Sequence, residues 1–133
     1  MKNKILVIAE AGVNHNGSLN NALKMVDLAA KAGADFIKFQ TFDPESLSNV
    51  DLGLAKYQEK HTKQKNHLKM LEKLALTMKS FKKISMRCKK KKIKFLSSPF
   101  DMKSIDILKS LKINAFKIPS GQIDDIPYLE YIG

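Results

Sequence analysis

The sequence is short of cysteine and of long apolar runs, and each shortage excludes a class of protein. Cys88 is the only cysteine among the 133 residues, so no disulfide can form within the chain, which suits a reducing cytosol. The apolar run from Ile5 to Ala9 is too short for a signal peptide, and no segment approaches the ~20 apolar residues that cross a bilayer. We therefore expect a soluble, cytoplasmic protein with no membrane partner.

Acidic residues and arginine are also scarce. The 24 lysine and arginine residues against 13 aspartate and glutamate residues give a net charge of +11. Such a charge can indicate nucleic-acid binding, but Arg87 is the only arginine, and base and phosphate recognition favour the planar guanidinium group. Eight lysines and Arg87 lie between Lys79 and Lys94 without an acid, as on a solvated helix face. We expect no specific nucleic-acid partner, and weak attraction to polyanions remains open.

Four apolar runs of strand length alternate with helical patterns. The runs are rich in β-branched or aromatic residues and cover residues 5–11, 36–42, 93–100 and 115–121. Ser18, Thr77 and Asp101 are the predicted N-caps of helices, and Pro127 suits the first turn of a last one. The resulting order, β-α-β-α-α-β-α-β-α, predicts parallel strands joined by right-handed crossovers.

The length bounds the architecture. Dividing 133 residues among four units gives about 33 each, and a closed (β/α)8 barrel takes ~250 residues. We therefore predict an α/β fold: the first four βα units of a (β/α)8 TIM barrel, as one domain over residues 1–133. A four-stranded doubly wound sheet is the competing architecture. The polar connection over residues 43–64 is predicted to cover a site or to be disordered.

Polar residues recur on one face of the predicted strands, near their carboxyl ends. Side chains alternate along a strand, and parallel α/β folds bind ligands at these ends. The polar face carries Glu10, Lys38, Gln40, Ser98 and Lys117. The opposite face is apolar, as a helix-covered face requires, and carries Ile37, Phe39, Phe95, Phe116 and Ile118.

Lys38 and Lys117 lie on the second and fourth predicted strands, ~10 Å apart at their backbones. Their ammonium groups can converge on one small anion, because an unpaired buried ammonium needs an acid or a bound anion. An ion pair with Glu10 is the purely structural alternative. Ser98 and Ser120 can either cap backbone groups or donate to a carboxylate or phosphate.

His15 lies in the turn GVNHNGS, residues 12–18. With no second histidine or cysteine nearby, we interpret it as a hydrogen-bonding loop residue and not as a metal ligand. The sequence contains no Ser-His-Asp arrangement, P-loop or CxxC pair.

Four motifs, in this order and spacing, resemble the sialic acid synthase family. They are IAEAGVNHNGS, GADFIKFQTF, FLSSPFD and FKIPSGQ, and the likeness extends over essentially the whole chain. The variants present are most similar to the bacterial N-acetylneuraminate and N,N'-diacetyllegionaminate synthases.

The resemblance implies an enzyme that condenses phosphoenolpyruvate with an N-acetylmannosamine-type sugar and releases phosphate. It implies a (β/α)8 barrel followed by a small antifreeze-like domain. It also implies a divalent metal, Mn²⁺ or Mg²⁺, that polarises the sugar aldehyde, although no residue here can be assigned as its ligand.

The resemblance also assigns roles to residues. Glu10 would lie near the reacting centre, Gln40 and Gln122 would line the sugar side, and Glu10 and Gln122 are the catalytic candidates. The residues that would hold phosphoenolpyruvate are Lys38, Ser98, Lys117 and Ser120.

Four residues depart from the family pattern. Gln122 stands where glutamate is typical, and Ser98 stands where threonine is usual. Lys92 and Lys112 stand where glycine commonly precedes a strand, which suggests left-handed backbone at a non-glycine residue.

The family's metal-binding histidines, the second half of the barrel and the antifreeze-like domain have no counterpart in the sequence. We therefore expect the isolated chain to be inactive, and to form a homo-oligomer or pair with a complementary C-terminal half. The alternatives are a truncated, non-catalytic protein that binds anions or pairs with an intact synthase, and a Schiff-base aldolase that uses Lys38 or Lys117.

Overall fold

The computed structural model describes residues 5–48, 67–113 and 115–133. The strands are β1 (Ile8–Gly12), β2 (Phe36–Thr41) and β3 (Lys94–Pro99). The helices are α1 (Leu19–Lys31), α2 (Pro44–Ser48), α3 (His67–Leu74), α4 (Met78–Lys91), α5 (Met102–Ser110) and α6 (Ile126–Ile132), and residues Ser120–Gln122 form a 3-10 turn. None of the helices in these ranges is long and apolar enough to cross a membrane.

The three strands form one parallel sheet in the order β1-β2-β3. The register places Glu10 opposite Lys38 and Gln40 opposite Ser98. The α/β fold with parallel strands is therefore confirmed, and the predicted alternation of faces holds along β2, where Ile37 and Phe39 are buried.

Helices α1 and α4 cover the same face of the sheet. Ala22 and Val26 of α1 and Phe81 of α4 are buried in one cluster with Ile37 and Phe39 of β2. Burying the valine, isoleucine and phenylalanine side chains of this cluster contributes about 1.5–3 kcal/mol each. This shared layer fixes β2 between its neighbours and so positions the polar residues on the other face of the sheet.

Cys88 belongs to the same layer, on the inward side of α4, where 1% of it is exposed. Burial raises the pKa of its thiol to about 12. It is therefore a packing residue in the folded chain.

The predicted N-caps are confirmed. The side chains of Ser18, Thr77 and Asp101 accept hydrogen bonds from backbone N–H groups three residues later. Asp125 caps α6 in the same way, through the N–H of Tyr128, and Pro127 lies in the first turn of that helix. Asp125 was not predicted as a cap.

Lys92 and Lys112 both adopt left-handed backbone, with φ of 57° and 53°. The positions predicted to favour glycine therefore have the conformation that glycine adopts most easily. Lys92 follows α4 directly and turns the chain into β3.

Replacing Lys92 by glycine is expected to stabilise the fold by about 0.5–1 kcal/mol, because the left-handed strain is relieved at a smaller cost in chain entropy. Lys82→Gly, in the exposed middle of α4, is the matched control and should lower the free energy of unfolding by about 1 kcal/mol. Urea unfolding followed by circular dichroism measures both changes. A destabilised Lys92→Gly variant would contradict the expectation.

The fourth predicted strand is wrong as a regular strand. Within residues 115–119, the structure shows no strand; the Lys117 N–H donates to the Ser97 carbonyl at 3.0 Å, so this segment runs beside β3. Pro119 has no N–H to continue a ladder, and residues 120–122 turn away from it. Phe116 and Ile118 are half-buried and not part of the core.

Two boundaries also differ from the prediction. β1 begins at Ile8 and not at Ile5, and residues 5–7 are exposed. The polar connection predicted over residues 43–64 begins with helix α2, and its remainder from residue 49 lies outside the described residues.

Candidate functional site

The candidate site lies on the sheet face opposite the helix layer. Lys38 forms an ion pair of 2.6 Å with Glu10, its neighbour across β1 and β2. The Lys38 side chain is 16% exposed, whereas that of Glu10 is 50% exposed. The ion pair with Glu10, which was the structural alternative for Lys38, is therefore present. The partly buried ammonium has a counter-ion, and the Glu10 carboxylate is still open to solvent on one side.

The side chains of Glu10 and Gln40 both lie close to Gly12. The register of β1 shifts between Glu10 and Gly12, and Gly12 has a φ of 53°. A side-chain carbon placed at Gly12 would lie 3.3 Å from Oε1 of Glu10 and 3.9 Å from Nε2 of Gln40. The missing side chain therefore leaves room for both polar groups at the end of β1.

The two serines of β3 have different surroundings. Ser97 lies on the helix side, where its hydroxyl is 2.8 Å from the Thr41 hydroxyl and donates to the Phe39 carbonyl at 3.1 Å. Ser98 is the register partner of Gln40 and is 2% exposed. Since neighbouring side chains of a strand point to opposite faces, Ser98 belongs to the same face as Gln40 and Lys38.

Lys117 and Ser120 are exposed on the segment beside β3. The Lys117 backbone is bonded to Ser97, but its ammonium donates to the carbonyl of Ile118, its neighbour in the chain. Ser120 begins the 3-10 turn. The structure thus brings Glu10, Lys38, Gln40 and Ser98 together through the sheet register, and it places the backbone of Lys117 beside β3.

Gln122 lies at the end of the 3-10 turn. Its amide nitrogen donates to the backbone carbonyl of Phe100 at 3.1 Å. The hydroxyl of Tyr128 donates to the Pro99 carbonyl at 2.8 Å, and Tyr128 is 2% exposed. Burial, and then the nearby Asp101 and Asp125, raise the pKa of the Tyr128 phenol.

Tyr128 was not predicted from the sequence. The available signal was a tyrosine in the first turn of a helix that begins at a Pro127 turn, where the ring can reach back to the preceding segment.

Asp101 connects the ends of β2 and β3. It caps α5 and also accepts the backbone N–H of Asp43 at 2.7 Å. Asp43 in turn accepts from the Ser46 hydroxyl at 2.7 Å and pairs with Lys103 at 3.1 Å, and these contacts lower the pKa of its carboxyl group. The connections that leave the two strands are therefore held together beside the candidate site.

His15 is confirmed as a hydrogen-bonding loop residue. It is 1% exposed, its Nδ1 accepts the Gly17 N–H at 3.1 Å, and its ring centroid is 6.0 Å from that of Phe39. Since Nδ1 is an acceptor, the ring is neutral, and burial lowers its pKa.

The neutral His15 ring should make stability depend on pH. The unfolded chain binds a proton at the ordinary pKa of about 6.5, whereas the folded chain does so only at lower pH. The stability that the neutral ring provides is thus complete above about pH 6.5 and is lost as the pH falls from there through the folded pKa.

Unfolding by urea between pH 7.5 and 5.5 should therefore show a free energy of unfolding that decreases as the pH falls. A His15→Asn variant should lose little in this range. The pKa values of Asp27 and Asp43 are also lowered, from an ordinary value of 3.8. These two groups therefore change the free energy of unfolding only at more acidic pH. An equal loss in His15→Asn would contradict the assignment.

The described residues do not fit the divalent metal that the resemblance implies. Within residues 5–48, 67–113 and 115–133, no three His, Cys, Asp or Glu side chains are placed to hold a metal ion together.

The comparisons with known proteins agree with the motifs. An N,N'-diacetyllegionaminic acid synthase of Campylobacter jejuni is 48% identical over 130 residues, which are 97% of this chain and 39% of that protein. The protein of the same name from Legionella pneumophila is 41% identical over 126 residues, which are 94% of this chain and 35% of that protein.

Solved structures agree as well. An N-acetylneuraminic acid synthetase of Leptospira borgpetersenii, crystallised with citrate, superposes with a TM-score of 0.76 at 33% identity, covering 98% of this chain and 44% of that one. The chain thus spans about two-fifths of the length of these relatives. Residues 25–133 match the profile of the NeuB family, and the chain belongs to that family.

Proposed function

We propose that residues 1–133 supply the first βα units of a (β/α)8 barrel and, with them, one side of a nonulosonate synthase active site. The sequential order β1-β2-β3 and the position of α1 and α4 on one face support the barrel over a doubly wound sheet, which needs helices on both faces. Residues 115–119, beside β3, take the place of the fourth strand.

The proposed reaction is the condensation of phosphoenolpyruvate with an N-acetylmannosamine-type sugar, with release of phosphate. Lys38, Ser98, Lys117 and Ser120 hold phosphoenolpyruvate, Glu10 lies at the reacting centre and Gln40 faces the sugar. The synthase names of the relatives support this substrate class. The divalent metal that the family implies would be held by residues other than the described ones.

The observation that carries the proposal is the Glu10–Lys38 pair next to Gln40 and Ser98. The pair gives a poorly exposed ammonium a counter-ion before a substrate arrives. A phosphate or carboxylate that enters on the open side of Glu10 can take over part of the ammonium's hydrogen bonding. Binding an anion there replaces the contact with Glu10, whose half-exposed carboxylate can then be hydrated by water.

Calorimetric titration with phosphoenolpyruvate tests the proposal. Lys38→Met should weaken binding at least ~10-fold, since a charge-assisted hydrogen bond is lost. Lys94→Met is the matched control: Lys94 lies on the same sheet face at the amino end, with its ammonium 5.2 Å from the Phe36 ring centroid. Equal effects of the two variants would refute the site, because both remove one charge.

A non-catalytic role is the second candidate. Ile5, Leu6, Val7 and Ile8 are 84%, 57%, 54% and 48% exposed at the start of β1, which is an edge strand of the described sheet. An apolar row at a strand edge favours association with another chain. In this case the chain would bind an intact synthase or its own copies, and anion binding would be retained without turnover.

A further inference from the structure

Three hydrogen bonds attach residues 117–128 to the end of β3. Their acceptors are three backbone carbonyls within residues 97–100. The Lys117 N–H bonds Ser97 at 3.0 Å, the Gln122 amide bonds Phe100 at 3.1 Å, and the Tyr128 hydroxyl bonds Pro99 at 2.8 Å. Only the Lys117 bond has a backbone donor. The side chains of Gln122 and Tyr128 therefore provide the kind of contact that backbone N–H groups provide between the strands of the sheet.

These contacts lie directly around Ser98. Ser97, Pro99 and Phe100 are its neighbours in the chain, and the Phe100 N–H also donates to the Thr41 carbonyl at 3.0 Å. The three-bond attachment therefore reaches β2, the strand that carries Lys38 and Gln40. At its other end it holds the segment that carries Lys117 and Ser120.

We propose that Tyr128 and Gln122 are positioning residues that set Lys117 and Ser120 against Ser98 and Lys38. The proposal rests on the proposed phosphoenolpyruvate site and deepens it. Tyr128 is almost fully buried and its phenol has one proton to donate, so the direction of its bond to Pro99 is fixed. The ring holds α6 against the end of β3, and α6 follows the 3-10 turn that begins at Ser120.

The chemistry of the Gln122 contact explains why an amide suits this position. The Phe100 carbonyl can only accept, and the glutamine amide donates to it. An ionised glutamate can only accept, and it would place a negative charge against the carbonyl oxygen. In this chain, the side chain at 122 thus acts on the substrate through the backbone of β3, whereas a sugar-binding or catalytic role would require contact with the substrate itself.

The test compares two tyrosines of the same helix. Tyr128→Phe removes the hydroxyl that bonds Pro99, and Tyr131→Phe removes an exposed hydroxyl that donates to Asp106 at 2.9 Å. Phosphoenolpyruvate affinity is measured by calorimetry with the 133-residue chain, at a temperature where circular dichroism shows each variant fully folded. We expect affinity to fall about 5–10-fold in Tyr128→Phe, as for a lost hydrogen bond, and to stay within about twofold in Tyr131→Phe.

A purely structural role of Tyr128 would lower the melting temperature and leave the affinity of the folded chain unchanged, which would overturn the proposal. If Tyr128→Phe does not fold, the variants Gln122→Glu and Gln122→Leu test the positioning role instead. Both should weaken phosphoenolpyruvate binding, because both remove the donor. Unchanged binding in either variant, or tighter binding in Gln122→Glu, would overturn the positioning role.

The Lys38→Met variant distinguishes a failure of the proposed phosphoenolpyruvate site from a failure of the positioning role. If Lys38→Met binds phosphoenolpyruvate as the unaltered chain does, the proposed site is wrong and so is the positioning role. If Lys38→Met loses binding while Tyr128→Phe and Tyr131→Phe behave alike, the site stands and the positioning role is wrong.

Discussion

The isolated chain is expected to release no phosphate from phosphoenolpyruvate and an N-acetylmannosamine-type sugar. Enzymes gain 10⁶-fold or more over the uncatalysed reaction by surrounding the reacting atoms with fixed polar groups and excluding water. Here Glu10 is half-exposed and Lys117 is exposed, so water reaches the proposed site from one side. The expected effect is therefore a complete loss relative to a whole synthase.

A coupled phosphate assay measures this rate, and a graft provides the positive control. Residues 1–133 are joined to the matching remainder of a relative such as the Campylobacter jejuni synthase, which this chain covers over 39% of its length. The graft should turn over, and the isolated chain should not. Steady phosphate release by the isolated chain that EDTA abolishes would refute the expectation.

The second large effect concerns association. The exposed apolar row at residues 5–8 leads into β1, an edge strand of the described sheet, and strand edges of this kind pair with other chains. We expect the unaltered chain to self-associate, and Leu6→Lys to raise the concentration needed for association by at least ~10-fold, since a charge cannot be buried without a partner.

Leu28→Lys is the matched control, because Leu28 is 65% exposed on α1 and far along the chain from this row. It should leave association unchanged. Light scattering coupled to size-exclusion chromatography measures both variants. A compact monomer of the unaltered chain at high concentration would contradict a role of the β1 edge.

Local features were predictable from the sequence because neighbouring residues determine them. Ser18, Thr77 and Asp101 are caps for reasons contained within four residues, and Lys92 is left-handed where glycine is usual in the family. The β2 face was equally predictable, since alternation alone separates Ile37 from Lys38.

Features that depend on a distant partner were not predictable. The Glu10–Lys38 pair was open as an alternative, because alternation places both on one face and does not give the register. The bond from Tyr128 to Pro99 joins residues 29 positions apart, and no period in the sequence indicates it. The fourth strand was predicted wrongly for a different, local reason: its residues have strand composition, but Pro119 and the turn after it prevent a ladder.

The buried thiol of Cys88 has a practical consequence. With a pKa raised to about 12, only about one molecule in 10⁵ carries the thiolate at neutral pH, and alkylating reagents attack that form. A reagent such as iodoacetamide can then modify Cys88 only during moments when α4 lifts away from α1 and the sheet. The rate of alkylation thus reports how often the helix layer opens. Mass spectrometry detects the alkylated chain without a separate label.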